Sequence, residues 1–180
     1  MKGGGEAMES AVTPGMSQEE VLEEWVRLYA GMLLKTCFLC LGDWHLAQDA
    51  MQDTFMKAWK QLTKMDQALL RSEKAWLTRI AVNTCRDYRR SQWFKRMDFA
   101  AELDRLPMDL IALPQQDREL LMEIGSLPDK LKHPVLLYYY HNLTLQDTAE
   151  TLGIPKSTAA KRLKKAEETL KRRIMGGEAQ

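Results

Sequence analysis

LTLQDTAETLGIPKSTAAKRLKKAEETL, residues 143–170, is the stretch that decides the fold. Thr144 predicts the N-cap of a short helix, and Asp147 stands where the acidic partner of a capping box is usually Glu. Gly153 predicts the end of this helix, and Pro155 the start of the next one. Two helices joined by so short a glycine turn are typical of a helix-turn-helix unit.

The second helix of this stretch separates into an apolar stripe and a polar, basic stripe. The apolar residues, spaced by three or four, are Ala159, Leu163, Ala166, Leu170 and Ile174. The polar stripe is Thr158, Lys161, Arg162 and Lys165, and Lys156 and Ser157 open the helix. One face would pack while the other is free to enter a major groove, so these six polar residues are candidate DNA contacts. A solvated surface helix stays open as an alternative.

Helical spacing extends over most of the remaining chain. Ser17 predicts the N-cap of a first helix that ends at Gly42, and Asp43 predicts the cap of a second helix that runs to about Leu62. Ser72 predicts the cap of a third helix. The expected inner face of this third helix is Trp76, Leu77, Ile80, Ala81, Thr84 and Tyr88. Since no segment is typical of a strand, the sequence predicts an all-α fold of two small helical domains joined by an acidic linker.

Composition shifts along the chain suggest the domain boundaries. We predict a disordered lead-in at residues 1–17, an N-terminal domain at 18–96, a linker at 97–122, a C-terminal domain at 123–175 and a tail at 176–180. The linker contains two prolines and six acidic residues against two basic ones. In the C-terminal domain a helix that opens at Leu127-Pro128 is expected to turn Leu131, Val135, Leu136 and Tyr139 inward. Of the three rings at 138–140, one is expected to be buried.

The net charge is only +1, but the basic residues are clustered. Residues 56–96 hold 11 Lys and Arg against three acidic residues, and residues 156–180 hold eight against three. Such asymmetry indicates polyanion binding at two places, although solvated helix faces are equally compatible with it. Three cysteines, a start without an apolar core, and no apolar run of about 20 residues favour a cytoplasmic protein.

The third predicted helix interleaves basic and aromatic residues. Its outer face is Arg79, Asn83, Arg86, Arg89 and Arg90. Arginines can hold phosphates while exposed aromatic rings stack on unpaired bases, so this face is a second candidate nucleic-acid contact. Trp76 and Tyr88 also have the spacing of core residues and are expected to be partly buried. Spacing alone assigns no role to Trp93 and Phe94.

Two other classes of function have weak support. Cys37-x-x-Cys40 is a single pair on an apolar stripe without a second ligand pair, so a metal or redox site is disfavoured, and Cys85 is expected to pack. The three histidines are scattered, and the sequence has neither a phosphate-binding glycine loop after a strand nor a nucleophile elbow. We therefore expect no enzyme, no cofactor and no small-molecule substrate.

Three segments, in the same order, resemble the extracytoplasmic-function sigma factors of bacterial RNA polymerase, within the sigma-70 superfamily. They are residues 47–59 (AQDAMQDTFMKAW), residues 75–90 (AWLTRIAVNTCRDYRR) and residues 127–171. The sequence departs from the family at Asp147-Thr148-Ala149 and at Thr158-Ala159-Ala160. These departures leave the fold intact but make the preferred −35 sequence unreadable.

The resemblance implies a function in transcription initiation. Asp49, Gln52 and Asp53 match positions that bind the polymerase clamp, and the loop 63–74 with Asn83 matches the part that captures an unstacked base of the promoter −10 element. The basic C-terminal helix would bind the −35 element. The implied partners are core RNA polymerase, promoter DNA and an anti-sigma factor, which can hold such a protein at the membrane.

Two rival interpretations remain open from the residues alone. A stand-alone helix-turn-helix regulator would bind duplex DNA as a dimer and use the N-terminal half for dimerisation or effector binding. A protein-interaction module would not bind DNA at all.

Overall fold

The computed structural model of the protein describes residues 15–64, 72–91 and 115–177, and every regular element in these ranges is a helix. The elements are α1 (Gln18–Leu41), α2 (Trp44–Leu62), α3 (Glu73–Ser91), α4 (Gln115–Gly125), α5 (Asp129–Val135), a π-helical turn (Leu136–Tyr140), α6 (Leu145–Leu152) and α7 (Lys156–Gly177). The predicted all-α fold is confirmed. No helix in these ranges is long and apolar enough to span a bilayer.

The first helix begins and ends where the sequence predicts. The Ser17 hydroxyl accepts a hydrogen bond from the Glu20 backbone N–H at 3.2 Å, and the Glu20 carboxylate accepts one from the Ser17 N–H at 2.7 Å. This reciprocal pair satisfies two donors that the first turn of a helix leaves unpaired. Gly42 ends α1 in the left-handed conformation at φ 71°, which a residue without a Cβ adopts without strain.

The next two helices are also capped as predicted. The Asp43 carboxylate accepts a hydrogen bond from the Leu46 N–H at 2.8 Å and so starts α2. The Ser72 hydroxyl accepts one from the Ala75 N–H at 3.2 Å and so starts α3. The three helices pack against one another in one unit.

The core of the N-terminal domain lies between α1, α2 and α3. Its largest buried side chains include Trp25, Leu33, Leu41, Leu62 and Leu77. The predicted inner face of α3 is confirmed, because four of its six members are buried and Trp76 and Tyr88 are half-buried. Trp76 contacts Trp25 with ring centroids 5.4 Å apart, which fixes α3 against α1.

The C-terminal domain packs α5 and α7 around a smaller apolar cluster. Its buried members are Leu127, Leu131, Val135, Leu163 and Ala166. The predicted helix-turn-helix is confirmed in α6 and α7. The Thr144 hydroxyl accepts a hydrogen bond from the Asp147 N–H at 3.1 Å, and Gly153 ends α6 at φ 63°. The Asp147 carboxylate accepts from the Thr144 hydroxyl at 2.6 Å instead of reaching back to its N–H, because Asp is one methylene shorter than Glu.

The prediction for the tyrosine run was wrong. Tyr138, Tyr139 and Tyr140 are 37%, 50% and 38% exposed, so no ring of the three is buried and Tyr139 does not point inward. The cause is a change of helical pitch. Pro134 lacks an N–H and interrupts the ladder of α5, and Leu136–Tyr140 then form a π-helical turn with more residues per turn than an α-helix. Residues after Val135 therefore leave the α-helical register.

Two other features of the C-terminal domain differ from the sequence expectation. Ile174 is 45% exposed, because the packed part of the apolar stripe of α7 ends at Leu170. The helix α4 begins at residue 115 and crosses the predicted boundary at 122/123, and its Ile124 packs on both core clusters. The lead-in to residue 14, residues 65–71 of the predicted loop, residues 92–114 and residues 178–180 lie outside the described residues.

The two helical domains contact each other. Leu136 belongs to the apolar core of the N-terminal domain, and Val82 of α3 packs with Leu137 of the π-helical turn. A hydrogen bond of 2.8 Å joins the Thr36 hydroxyl of α1 to Nε2 of His141. Both of these polar side chains are buried, so the contact between the domains excludes solvent at this point.

Candidate nucleic-acid interface

The basic face of α7 is accessible along its whole predicted length. Lys156, Ser157, Lys161 and Lys165 are exposed, and Thr158 and Arg162 are half-buried. Ala159 and Ala166 on the opposite side are fully buried. The helix is held by its apolar side, so the basic side stands free at the surface, as a helix that enters a groove requires.

The turn before α7 fixes the direction in which that face points. The Gly153 and Ile154 N–H groups donate to backbone carbonyls of α6, at 3.1 Å to Glu150 and 3.0 Å to Ala149. The Pro155 carbonyl then accepts from the Thr158 N–H at 2.9 Å and starts α7. This connection leaves little freedom between α6 and α7, so the basic face is positioned by backbone hydrogen bonds.

The structure extends this face beyond the residues that the sequence singled out. A shallow groove along α7 is lined by Lys161, Lys164, Lys165, Glu168, Thr169 and Arg172. Lys164 and Arg172 were missed, although they follow Lys161 and Lys165 by three and seven residues, which is helical spacing. Four cations against one carboxylate make this groove suited to a phosphate backbone.

The outer face of α3 divides into a free part and a covered part. Arg79, Asn83 and Arg90 are exposed. Arg86 and Arg89 are half-buried and turn toward the C-terminal domain. The Arg86 guanidinium donates to the Asn83 side-chain oxygen at 3.4 Å and to the Leu152 carbonyl at 3.5 Å. Three of the five predicted contacts on this helix are thus open to solvent.

Arg89 contacts both α1 and α5. Its Nη1 donates to the Cys40 carbonyl of α1 at 3.3 Å and forms an ion pair with the Asp129 carboxylate, at the start of α5. This pairing was not predictable from the sequence, because Arg89 and Asp129 lie 40 positions apart and belong to different predicted domains.

The predicted polymerase contacts lie on α2. Asp49 and Gln52 are exposed, and Asp53 is half-buried because its Oδ2 accepts a hydrogen bond from the Tyr88 hydroxyl at 2.8 Å. Burial and the Asp53 carboxylate raise the pKa of Tyr88 to about 12, so the hydroxyl remains a donor. The sequence analysis missed Met56, which is 57% exposed on the same side and gives this acidic face an apolar point of contact.

Comparison with known proteins identifies both halves of the chain. The Sigma-70 region 2 family matches residues 25–95, which hold most of α1 and all of α2 and α3. The Sigma-70 region 4 family matches residues 117–170, from α4 into α7. The chain belongs to the sigma-70 family.

Relatives of the sigma factor span nearly its whole length. The ECF RNA polymerase sigma factor SigW of Bacillus subtilis is 25% identical over 173 residues, which cover 87% of this chain and 90% of SigW. SigM of the same organism is 25% identical over 83% of this chain and 93% of its own. The fold is similar to that of the sigma factor RpoE from Bartonella quintana, solved with the anti-sigma factor NepR, at a TM-score of 0.64 and 18% identity, over 86% of this chain and 96% of the other.

The aromatic residues of the sigma factor's α3 are structural where they are described. Trp76 and Tyr88 are half-buried, as the sequence predicts, and contact Trp25 and Asp53. The other two aromatic candidates, Trp93 and Phe94, lie outside the described residues. Among its described residues, α3 therefore has no fully exposed aromatic ring that could stack on a base.

The cysteines of this sigma factor form a buried group. Cys37, Cys40 and Cys85 are at most 1% exposed and unpaired by disulfides. The neighbouring Cys85 thiol and burial raise the pKa of Cys40 well above its usual value, which keeps it protonated. No group of three metal-ligating side chains among residues 15–64, 72–91 and 115–177 could hold a metal ion. The expectation that Cys85 packs is confirmed.

Proposed function

We propose that this sigma factor binds core RNA polymerase and directs it to promoters through their −10 and −35 elements. The observation that carries the proposal is the match of sigma-70 regions 2 and 4, in order, to two helical domains that each present a basic helix. A stand-alone regulator would need only the helix-turn-helix, and it leaves the region 2 match unexplained. The dimeric regulator is therefore not favoured.

The −35 element is proposed to bind the basic face of α7. The candidate contacts are Lys156, Ser157, Thr158, Lys161, Arg162 and Lys165. A guanidinium can pair bidentately with guanine, whereas lysines more often neutralise phosphate, so Arg162 is proposed to contact a base. Its half-buried position supports this role, because the packed stem restricts the direction of the guanidinium.

The −10 element is proposed to bind the outer face of α3. Asn83 is exposed and has both donors and an acceptor that suit a base edge. Arg79 and Arg90 flank it as exposed cations for the backbone. Arg86 and Arg89 can join them only after they leave Leu152 and Asp129, their partners in the C-terminal domain.

Core polymerase is proposed to bind α2 at Asp49, Gln52 and Asp53. Carboxylates repel phosphate, so an acidic face on a protein with two basic helices suits a protein partner. The exposed Met56 beside it would add apolar burial to the contact.

We further propose an anti-sigma factor as a regulatory partner and the cytoplasm as the place of action. Bartonella RpoE was solved with the anti-sigma factor NepR, and a second structure of similar fold is CnrH with the cytosolic domain of CnrY, at a TM-score of 0.63 and 24% identity. An anti-sigma partner with a membrane anchor could hold the protein at the membrane.

In vitro transcription with purified core polymerase tests the proposal. The template is the fragment upstream of the protein's own gene, and the expected result is a discrete transcript that depends on the protein. A conventional regulator would bind the fragment without core polymerase and give no such transcript. A protein-interaction module would give neither DNA binding nor transcript.

A further inference from the structure

Polar side chains join α2 to α3 beside the proposed polymerase contacts. The Tyr88 hydroxyl donates to Oδ2 of Asp53 at 2.8 Å. One turn further along α2, the Lys57 ammonium donates to the Thr84 hydroxyl at 3.1 Å and lies 3.5 Å from the Asp87 carboxylate. Asp53 and Lys57 are four residues apart, as are Thr84 and Tyr88, so each pair lies on one face of its helix. These bonds fix the position of the Tyr88 hydroxyl relative to α2.

Asp53 differs from the other two proposed polymerase contacts. Asp49 and Gln52 are exposed, whereas Asp53 is half-buried and is the one of the three with a hydrogen bond inside the described ranges. The Tyr88 ring packs on the core of the N-terminal domain, so its hydroxyl is a donor on a fixed support. A bond of 2.8 Å to such a donor selects one rotamer of the short aspartate side chain. Asp53 is therefore ordered before a partner binds.

Prior order of this kind favours association with a partner. Fixing one free side chain at a protein interface weakens binding by about 2- to 10-fold, and a side chain that is already fixed avoids this loss. The Tyr88 hydroxyl occupies only Oδ2, and within the described part of the chain Oδ1 of Asp53 accepts no hydrogen bond. A carboxylate oxygen in this state suits the N–H donors of a lysine or arginine.

Resting on the proposed function, we propose that Tyr88 is a positioning residue for the polymerase contact. Its hydroxyl holds Oδ2 of Asp53, so that Oδ1 is presented to a cationic side chain of core polymerase. Tyr88 acts through Asp53 and does not itself contact the polymerase. The role belongs to the hydroxyl and not to the ring, which separates it from both core packing and base stacking.

The affinities of Tyr88→Phe, Asp53→Asn and the double variant for core polymerase test this inference. Phe keeps the ring and its packing and removes only the hydroxyl, while Asn removes the charge that the partner would bind. Competition for purified core polymerase compares the three full-length variants with wild type. The matched control is Tyr139→Phe, because the Tyr139 hydroxyl also donates to a carboxylate, that of Glu167, in the C-terminal domain. Circular dichroism and thermal unfolding of the free proteins show whether the variants fold alike.

We expect Tyr88→Phe to bind core polymerase about 2- to 10-fold more weakly than wild type, and Tyr139→Phe to match wild type. In the Asp53→Asn background, loss of the Tyr88 hydroxyl should weaken binding by less than about 2-fold, because two residues that act as a unit are not additive. A residue that only stabilised the fold would instead give the same loss in both backgrounds.

Two results would overturn the inference while wild type binds core polymerase. One is equal or tighter binding by folded Tyr88→Phe, which would show that the hydroxyl does not help Asp53. The other is a loss that adds in full to that of Asp53→Asn, which would show that Tyr88 acts apart from this carboxylate. Failure of wild type itself to bind core polymerase would overturn the proposed function, and the inference with it.

Discussion

His141 should make the stability of this protein fall as the pH is lowered below 6.5. The side chain is 1% exposed at the contact between the domains. The Thr36 hydroxyl donates to the Met32 carbonyl at 2.8 Å, so it can only accept from His141, which places the imidazole proton on Nε2. Nδ1 is buried without a hydrogen-bond partner among the described residues. Protonation would therefore put a charge where nothing accepts the new N–H.

The size of the effect follows from the two pKa values. Burial, and to a smaller extent the positive charge of Lys74, lower the pKa of His141 from 6.5 to about 3 in the folded protein. Between these values the unfolded chain binds the proton and the folded chain does not, so stability is lost as the pH falls through this window. At pH 5 the loss is about 2 kcal/mol relative to pH 8, because each pH unit below 6.5 contributes about 1.4 kcal/mol.

Thermal unfolding of wild type and of His141→Gln at pH 8 and pH 5 measures this contribution. Gln keeps an N–H donor for Thr36 but does not titrate. Between the two pH values, the melting temperature of the wild type should fall by about 4–8 °C more than that of the variant. His45→Gln is the matched control, since His45 is exposed on α2, and its loss should equal that of wild type. Equal losses for wild type and His141→Gln would refute the reasoning.

Three further predictions concern the −35 contact, the apolar core of the C-terminal domain and the polymerase contact. Arg162→Ala should weaken binding to the cognate −35 duplex by about 1–3 kcal/mol and relax the preference at one base position. Lys161→Ala should weaken binding to all duplexes alike and lower the salt slope by about 1. Titrations with single-base variants at several salt concentrations distinguish the two outcomes. Leu163→Ala, at a position 6% exposed, should lower the free energy of unfolding by about 2–5 kcal/mol in denaturant titrations. Asp49→Lys should weaken core-polymerase binding in a competition assay without changing the far-ultraviolet circular dichroism, and unchanged affinity would remove Asp49 from that contact.

The helices of this protein were predictable because their ends are encoded locally. Ser17 with Glu20 and Thr144 with Gly153 satisfy backbone groups within one turn, so a reader of the sequence needs no distant information. The exposed face of α7 was predictable for the same reason, because the 3.6-residue period separates its two sides. The residue roles on these faces stay predictions.

Features that depend on a change of helical pitch or on distant contacts were not predictable from the sequence. The outward rotation of Tyr139 follows from the π-helical turn after Pro134, and α-helical spacing cannot represent that change of pitch. The half-buried state of Arg86 and Arg89 depends on Leu152 and Asp129, which periodicity along α3 does not reveal. Sequence alone does not distinguish an arginine that pairs with a protein group from one that is available to bind phosphate.

The polar contacts between the domains are individually weak. The Arg86–Leu152 hydrogen bond is long at 3.5 Å, and the Arg89–Asp129 ion pair is partly exposed, so each stabilises closure only weakly. Nδ1 of His141 and Nε2 of His133 are buried without hydrogen-bond partners in the described part of the chain, and each such group costs about 1–3 kcal/mol. Separation of the domains would return to water any of these groups that only the domain contact covers. Their hydration would offset part of the free energy lost when the apolar area around Val82 is exposed.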